Sequence, residues 1–169
     1  MNNMNNKYIC WALAVVLIAF IAYLIHNQIE EYNLQDDPKL NQLRGIFHEF
    51  FEHKKIKGKK WDHPLAKLNH TNPMKNIKLL KGGKSYTINK EKVYLCLRDE
   101  KEEYYNLNML IYVTAHELAH VLCDSIGHTD EFHAIFEALL VELTDSGIYD
   151  PKQEILLDYC AHGVDENNE

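Results

Sequence analysis

Two histidines four residues apart, His116 and His120, enclose Glu117 in the stretch Thr114-Ala115-His116-Glu117-Leu118-Ala119-His120-Val121-Leu122. On a helix, residues four apart stack one turn above each other, so the two imidazoles project side by side. Neutral imidazoles held this way suit Zn²⁺, which takes nitrogen ligands in a tetrahedral shell. Glu117 follows the first histidine on the flank of the same face. There it can reach a water in the open coordination position without ligating the ion, as a general base must. With 10 His and 15 Glu in 169 residues, composition alone gives about 0.05 chance occurrences of this pattern. Apolar Leu107, Leu110, Ile111, Val113, Ala115, Leu118, Ala119 and Leu122 predict a largely buried helix, with Asn106 as its N-cap. Such a helix carries His, Glu and His together only where something satisfies them.

A catalytic zinc needs a third protein ligand and an open position for water. Residues 123–133 offer His128, with Asp124 and His133 as rivals and Glu137 a little further on. Cys123 leans toward the same face, but a cysteine there usually serves as a small core residue. Gly127 predicts the stop of the first helix, since glycine takes the left-handed conformation cheaply. A reversal at Gly127 returns His128 toward the pair, and Thr129, Asp130 and Glu131 read as the cap and first turn of the next helix. Spacing permits His128 as ligand and leaves the rivals open.

His116-Glu117-x-x-His120 followed by Gly127-His128-x-x-x-Phe132 resembles the zinc motif of the SprT-like and WLM-type metallopeptidases, members of the zincin group. The resemblance covers about residues 105–145. It implies His128 as the third ligand with Phe132 packed behind it. It also implies an α+β, zincin-like fold, mainly helical with a small antiparallel sheet. The implied activity is hydrolysis of a peptide bond in a protein or peptide substrate, with Glu117 as base for a zinc-held water. Those families are commonly associated with DNA–protein crosslinks. A net charge of −7 without a basic stripe lacks the electrostatic footprint of phosphate binding, so no nucleic-acid partner is expected. Tyr149, Tyr159 and His162 are all available as donors to a developing oxyanion, and the sequence does not choose among them.

The elements that position this motif follow in chain order. Tyr8–Ile25 is 18 residues without charge, Pro or Gly. As a helix it extends about 27 Å, near the ~30 Å hydrocarbon thickness of a bilayer. Tyr8, Trp11 and Tyr23 lie near its ends, where interfacial aromatics belong. The run exceeds the roughly 7–15 apolar residues of a signal peptide and no A-x-A site follows, so residues 1–27 read as a transmembrane anchor contacting lipid through 8–25. Lys7 on one flank and Glu30, Glu31, Asp36 and Asp37 on the other place the amino terminus in the cytosol and the catalytic domain on the opposite side.

Residues 28–37 read as a polar juxtamembrane linker and 38–169 as the metallopeptidase domain. Asp37-Pro38 opens an amphipathic helix to about Lys55, and the lysines of 54–60 form a solvated loop. Residues 77–80, 85–88 and 93–97 read as three strands, the first two joined as a hairpin through Gly82-Gly83. By resemblance, Val93 to Arg98 is the cleft-side strand whose edge pairs with an extended peptide. Asp130 to Leu143 predicts a helix ended by Gly147, and Asp150-Pro151 starts a final helix to about Tyr159. The four cysteines form no C-x-x-C pair and suggest no disulfide framework.

Two readings from other classes share these features. One is a catalytically silent, zinc-stabilised, membrane-tethered binding module. The other is a zinc amidase with a non-peptide substrate, since water activation is common to all amide hydrolysis.

Overall fold

The computed structural model describes residues 2–53, 60–156 and 159–160. The chain divides into two units, Met1–Leu34 and Gln35–Glu169. The first is built on a single helix, α1 (Asn2–Gln35). Its segment Trp11–Gln35 is long and apolar enough, by length and composition, to cross a membrane, with a mean hydropathy of 2.0 and none of that window buried. The helix continues through 28–35, where the sequence predicts a linker. That segment is polar but holds no Pro or Gly to stop it. The break comes at Asp37, held extended (φ −144°, ψ 133°) because Pro38 bars the residue before it from helical backbone.

The second unit is α+β, with a small mixed sheet instead of an antiparallel one. Helix α2 (Pro38–Glu52) starts as predicted: the Asp37 carboxylate accepts the Lys39 N–H at 2.8 Å, with Pro38 in the first turn. Its apolar face, Leu40, Leu43, Phe47, Phe50 and Phe51, is buried, and the Phe50 and Phe51 rings meet edge-on at 5.1 Å. Truncating either fully buried ring, Phe47 or Phe51, costs about 3–5 kcal/mol. The predicted basic loop lies outside the described residues except for Lys60, which is exposed.

Strands β1 (Lys78–Lys81), β2 (Tyr86–Ile88) and β3 (Lys92–Leu95) lie in the order β1-β3-β2. β3 is central, parallel to β1 and antiparallel to β2, with Leu79 opposite Val93 and Thr87 opposite Val93 on its other side. The predicted β1–β2 hairpin is therefore replaced by a crossing. The Gly82 N–H continues along β3 to the Leu95 carbonyl at 2.9 Å. A Cβ on Gly82 would come within 3.3 Å of Tyr94 and 3.0 Å of the Lys84 carbonyl, which explains the glycine. The tight turn is the next one. Asn89 and Lys90 take left-handed φ of 52° and 58°, closed by the Glu91 N–H on the Ile88 carbonyl.

Helices α3 (Leu107–Leu122) and α4 (Asp130–Asp145) pack on each other and complete the core. Their caps are those the sequence predicts: Asn106 accepts the Met109 N–H at 2.8 Å, and Thr129 accepts that of Phe132 at 3.4 Å. α3 stops earlier than expected, with Cys123 as an extended C-cap. Gly127 (φ 82°) serves the bend before His128 instead. Gly147 (φ 69°) does end α4. The predicted final helix is absent over residues 151–156, where Asp150-Pro151 opens a single turn. Buried Asn108 grips that turn, donating to the Asp150 carbonyl at 3.0 Å and accepting its N–H at 2.8 Å. Beyond it the chain is drawn to β3. Cys160 bonds to Cys96, and the Tyr159 hydroxyl meets Ser85 Oγ at 3.0 Å and donates to the Cys96 carbonyl. This disulfide is a pairing that the cysteine spacing gave no sign of.

Candidate metal centre

α3 carries three polar side chains on one turn of a buried helix. His116 and His120 are half-buried and Glu117 is 4% exposed. The loop after α3 returns His128 so that its Nε2 lies 3.1 Å from His116 Nε2. One nitrogen from each of His116, His120 and His128 falls within 4.8 Å of the others. Two nitrogens on one tetrahedral zinc with ~2.05 Å bonds lie about 3.3 Å apart, so the His116–His128 separation suits shared coordination.

Two of the three donors are also held in the right charge state. Burial, and then the charges of His120, His128 and His133, lower His116 to about 4. Burial and His128 lower His120 as well. At neutral pH both offer lone pairs. Phe132 backs the cluster, stacked on His120 at 4.3 Å and edge-on to His116 at 4.9 Å and to His128 at 4.8 Å.

Glu117 does not join the imidazoles. Its Oε2 accepts the Thr87 hydroxyl of β2 at 2.8 Å. Burial raises its carboxyl to about 7, against the lowering effect of that hydrogen bond. Thr87 thus holds the carboxyl in place beside the imidazoles, and burial keeps its pKa near the range suited to exchanging protons at neutrality. The sequence reading missed Thr87, because a residue 30 positions away reaches Glu117 only through the register of β2 on β3.

These groups open onto a cleft of ≈ 520 Å³, walled by Tyr86 and Thr87 of β2 on one side and by Ile126 and His128 of the loop on the other. β2 is the sheet edge facing the cleft, whereas β3, expected there, is paired on both sides.

The rival ligands are placed elsewhere. Asp124 pairs with Lys67 at 2.6 Å. Cys123 is buried, 3.9 Å from the Thr129 hydroxyl. Glu137 is exposed, and so is His133, whose ring centre lies 6.4 Å from that of His128. Of the oxyanion candidates, Tyr149 is buried against Tyr112, Tyr159 is committed to Ser85 and Cys96, and His162 lies outside the described residues.

No protein-family model matches the chain, and no solved structure matches it significantly. It is similar to viral proteins. It is 47% identical over 105 residues to uncharacterized protein 136R of Invertebrate iridescent virus 6, covering 60% of this chain and 59% of that one. It is 46% identical over 99 residues to uncharacterized protein 042R of Invertebrate iridescent virus 3, covering 58% and 62%. A protein of Acanthamoeba polyphaga mimivirus is 38% identical over 92 residues, covering 49% and 44%. The chain thus spans about three fifths of the length of the first two relatives and less than half of the third.

Proposed function

We propose that this protein is a membrane-anchored zinc metallopeptidase of the zincin type, akin to the SprT-like and WLM-type enzymes. The observation that carries the reading is the convergence of His116, His120 and His128 beside a buried carboxyl, Glu117, tethered by Thr87. The three imidazoles would hold Zn²⁺. When bound, the ion supplies Lewis-acid polarisation of the scissile carbonyl and lowers the pKa of the water it holds. Glu117 takes a proton from the attacking water and delivers it to the leaving amine. β2 offers its outer edge to an extended peptide, which would lie along the cleft past Tyr86 and Ile126. A silent structural site would have no use for the buried carboxyl, whose burial is unfavourable once ionised.

Residues 11–35 serve in this reading as a single-pass anchor, with the amino terminus cytosolic and the catalytic unit across the membrane. The Cys96–Cys160 disulfide supports that side, since disulfides persist in oxidising compartments. The test is a peptide-cleavage screen of the zinc-loaded full chain beside Glu117→Gln. Retained zinc with turnover reduced at least about a hundredfold supports the reading. Equal cleavage by the variant removes Glu117 as base.

A further inference from the structure

The third ligand differs from the other two in how it is held. His116 and His120 are fixed by a buried helix, whereas His128 is exposed on a loop. The Glu131 side chain reaches back from the first turn of α4 to the start of that loop. Its Oε1 accepts the Asp124 N–H at 3.0 Å, and its Oε2 accepts the Ser125 N–H at 3.2 Å and the Ser125 hydroxyl at 2.8 Å. These bonds close residues 124–131 into a ring that contains Gly127 and His128. Two lysines hold the same ring to the rest of the unit. Lys67 donates to the Leu122 carbonyl at 3.2 Å, and Lys90, at the tip of the β2–β3 turn, donates to the Cys123 and Asp124 carbonyls. Lys67 also pairs with the Asp124 carboxylate at 2.6 Å and lies 3.8 Å from Glu131 Oε1, but it is Glu131 that accepts the backbone N–H groups of Asp124 and Ser125 and so ties the loop's own backbone from its far end.

We infer that Glu131 is the positioning residue of the metal centre, setting His128 in place by clamping the backbone at Asp124 and Ser125. The inference rests on the three-histidine reading above. Without the clamp, the reversal at Gly127 is free to sample arrangements in which His128 points away, and the ordering of that loop is then taken out of metal binding. Groups that orient metal ligands typically govern affinity by about 10–100-fold.

The test is a double-mutant cycle on the full chain in detergent, with zinc affinity read by competition against a chromophoric chelator and geometry read from the visible spectrum of the Co²⁺ form. Glu131→Ala should weaken zinc binding by about 10–100-fold and alter the Co²⁺ spectrum. In a His128→Ala background the same substitution should change affinity by no more than about twofold, because its route is already gone. Glu131→Gln, with one acceptor oxygen left, should fall between. It carries the cycle in place of alanine if the metal-free alanine variant melts without a cooperative transition. Wild-type affinity in the Glu131 variants, with His128→Ala still weakened, overturns the positioning role and leaves the metal centre standing. Equal weakening in both backgrounds also overturns it, showing a general effect on the fold. If His128→Ala itself binds zinc as the wild type does, the three-histidine centre fails and this inference falls with it.

Discussion

Replacing Glu117 by glutamine should reshape the pH dependence of stability in the metal-free protein, and the shape follows from two shifts of opposite sign. Glu117 is raised from 4.5 to about 7 in the folded state. Its burial is harmless below pH 4.5, where folded and unfolded chains both hold the proton. From 4.5 to about 7 the unfolded carboxyl ionises and the folded one does not, so stability falls as pH rises. About 2.5 units correspond to roughly 3 kcal/mol.

His116 runs the other way, lowered from 6.5 to about 4. Its contribution is complete above pH 6.5 and is lost as pH falls toward 4, because the unfolded imidazole charges first. Solvent reaches part of this ring, so screening reduces its share to about 2 kcal/mol. Between pH 4.5 and 6.5 the falling Glu117 slope opposes the rising one of His116, to which the lowered His120 adds in the same sense. Glu117→Gln removes the falling slope. The variant should gain about 2 kcal/mol of stability from pH 4.5 to 6.5, and above pH 7.5 it should exceed the wild type by about 1–3 kcal/mol. Chelator-treated full chain in detergent, unfolded by urea at half-unit pH steps, reads this directly. A variant profile no steeper than the wild type's between pH 4.5 and 6.5, or a variant less stable at pH 8, would refute the opposed-burial account.

Three further outcomes follow from the same geometry. Thr87→Val should leave zinc content unchanged but lower turnover about tenfold or more and shift the acidic limb of the pH–rate profile, where Glu117 loses its proton, to higher pH. His128→Ala should weaken zinc binding at least tenfold more than His133→Ala, checked by chelator competition; the reverse order would reassign the ligand. Paired substitution of Cys96 and Cys160 by serine should lower the unfolding free energy by about 2–4 kcal/mol, and both thiols should resist alkylation in intact non-reduced membranes. Rapid labelling of both would remove the disulfide's support for the proposed orientation.

What could be read from the sequence is what local chemistry writes. The caps at Asp37, Asn106 and Thr129 each bond a backbone N–H two or three residues on, so residue type and position suffice to find them. The same holds for the face shared by His116 and His120. Most of the misreadings concern partners far apart in the chain. Gly82-Gly83 looked like a hairpin turn because two short strands flank it, but β1 pairs with a strand beyond the next one. The polar end of α1 looked like a linker because composition was read in place of the missing helix breaker. Asp150-Pro151 looked like a helix start, while the capture of Asp150 by Asn108 and of Cys160 by Cys96 carries no local trace.

On the proposed function, the same division explains how the metal centre would be built. One half is rigid by burial: α3 fixes two imidazoles and the carboxyl between them, and Phe132 touches all three rings. The other half is exposed and is ordered by polar contacts around the loop that carries His128. A base must be shielded to keep its pKa near neutrality, and a buried helix gives that shielding to Glu117. An open cleft must at the same time admit a chain several residues long, which a centre enclosed on all sides could not do. Placing the proposed third ligand, His128, on a hydrogen-bonded loop would meet both demands. It completes the donor set from the solvent side without walling off the β2 edge, where a substrate strand would lie. On the proposed reading, metal affinity would depend on the loop's polar contacts and proton transfer on the helix's burial, and substitutions in the two halves should separate zinc binding from turnover.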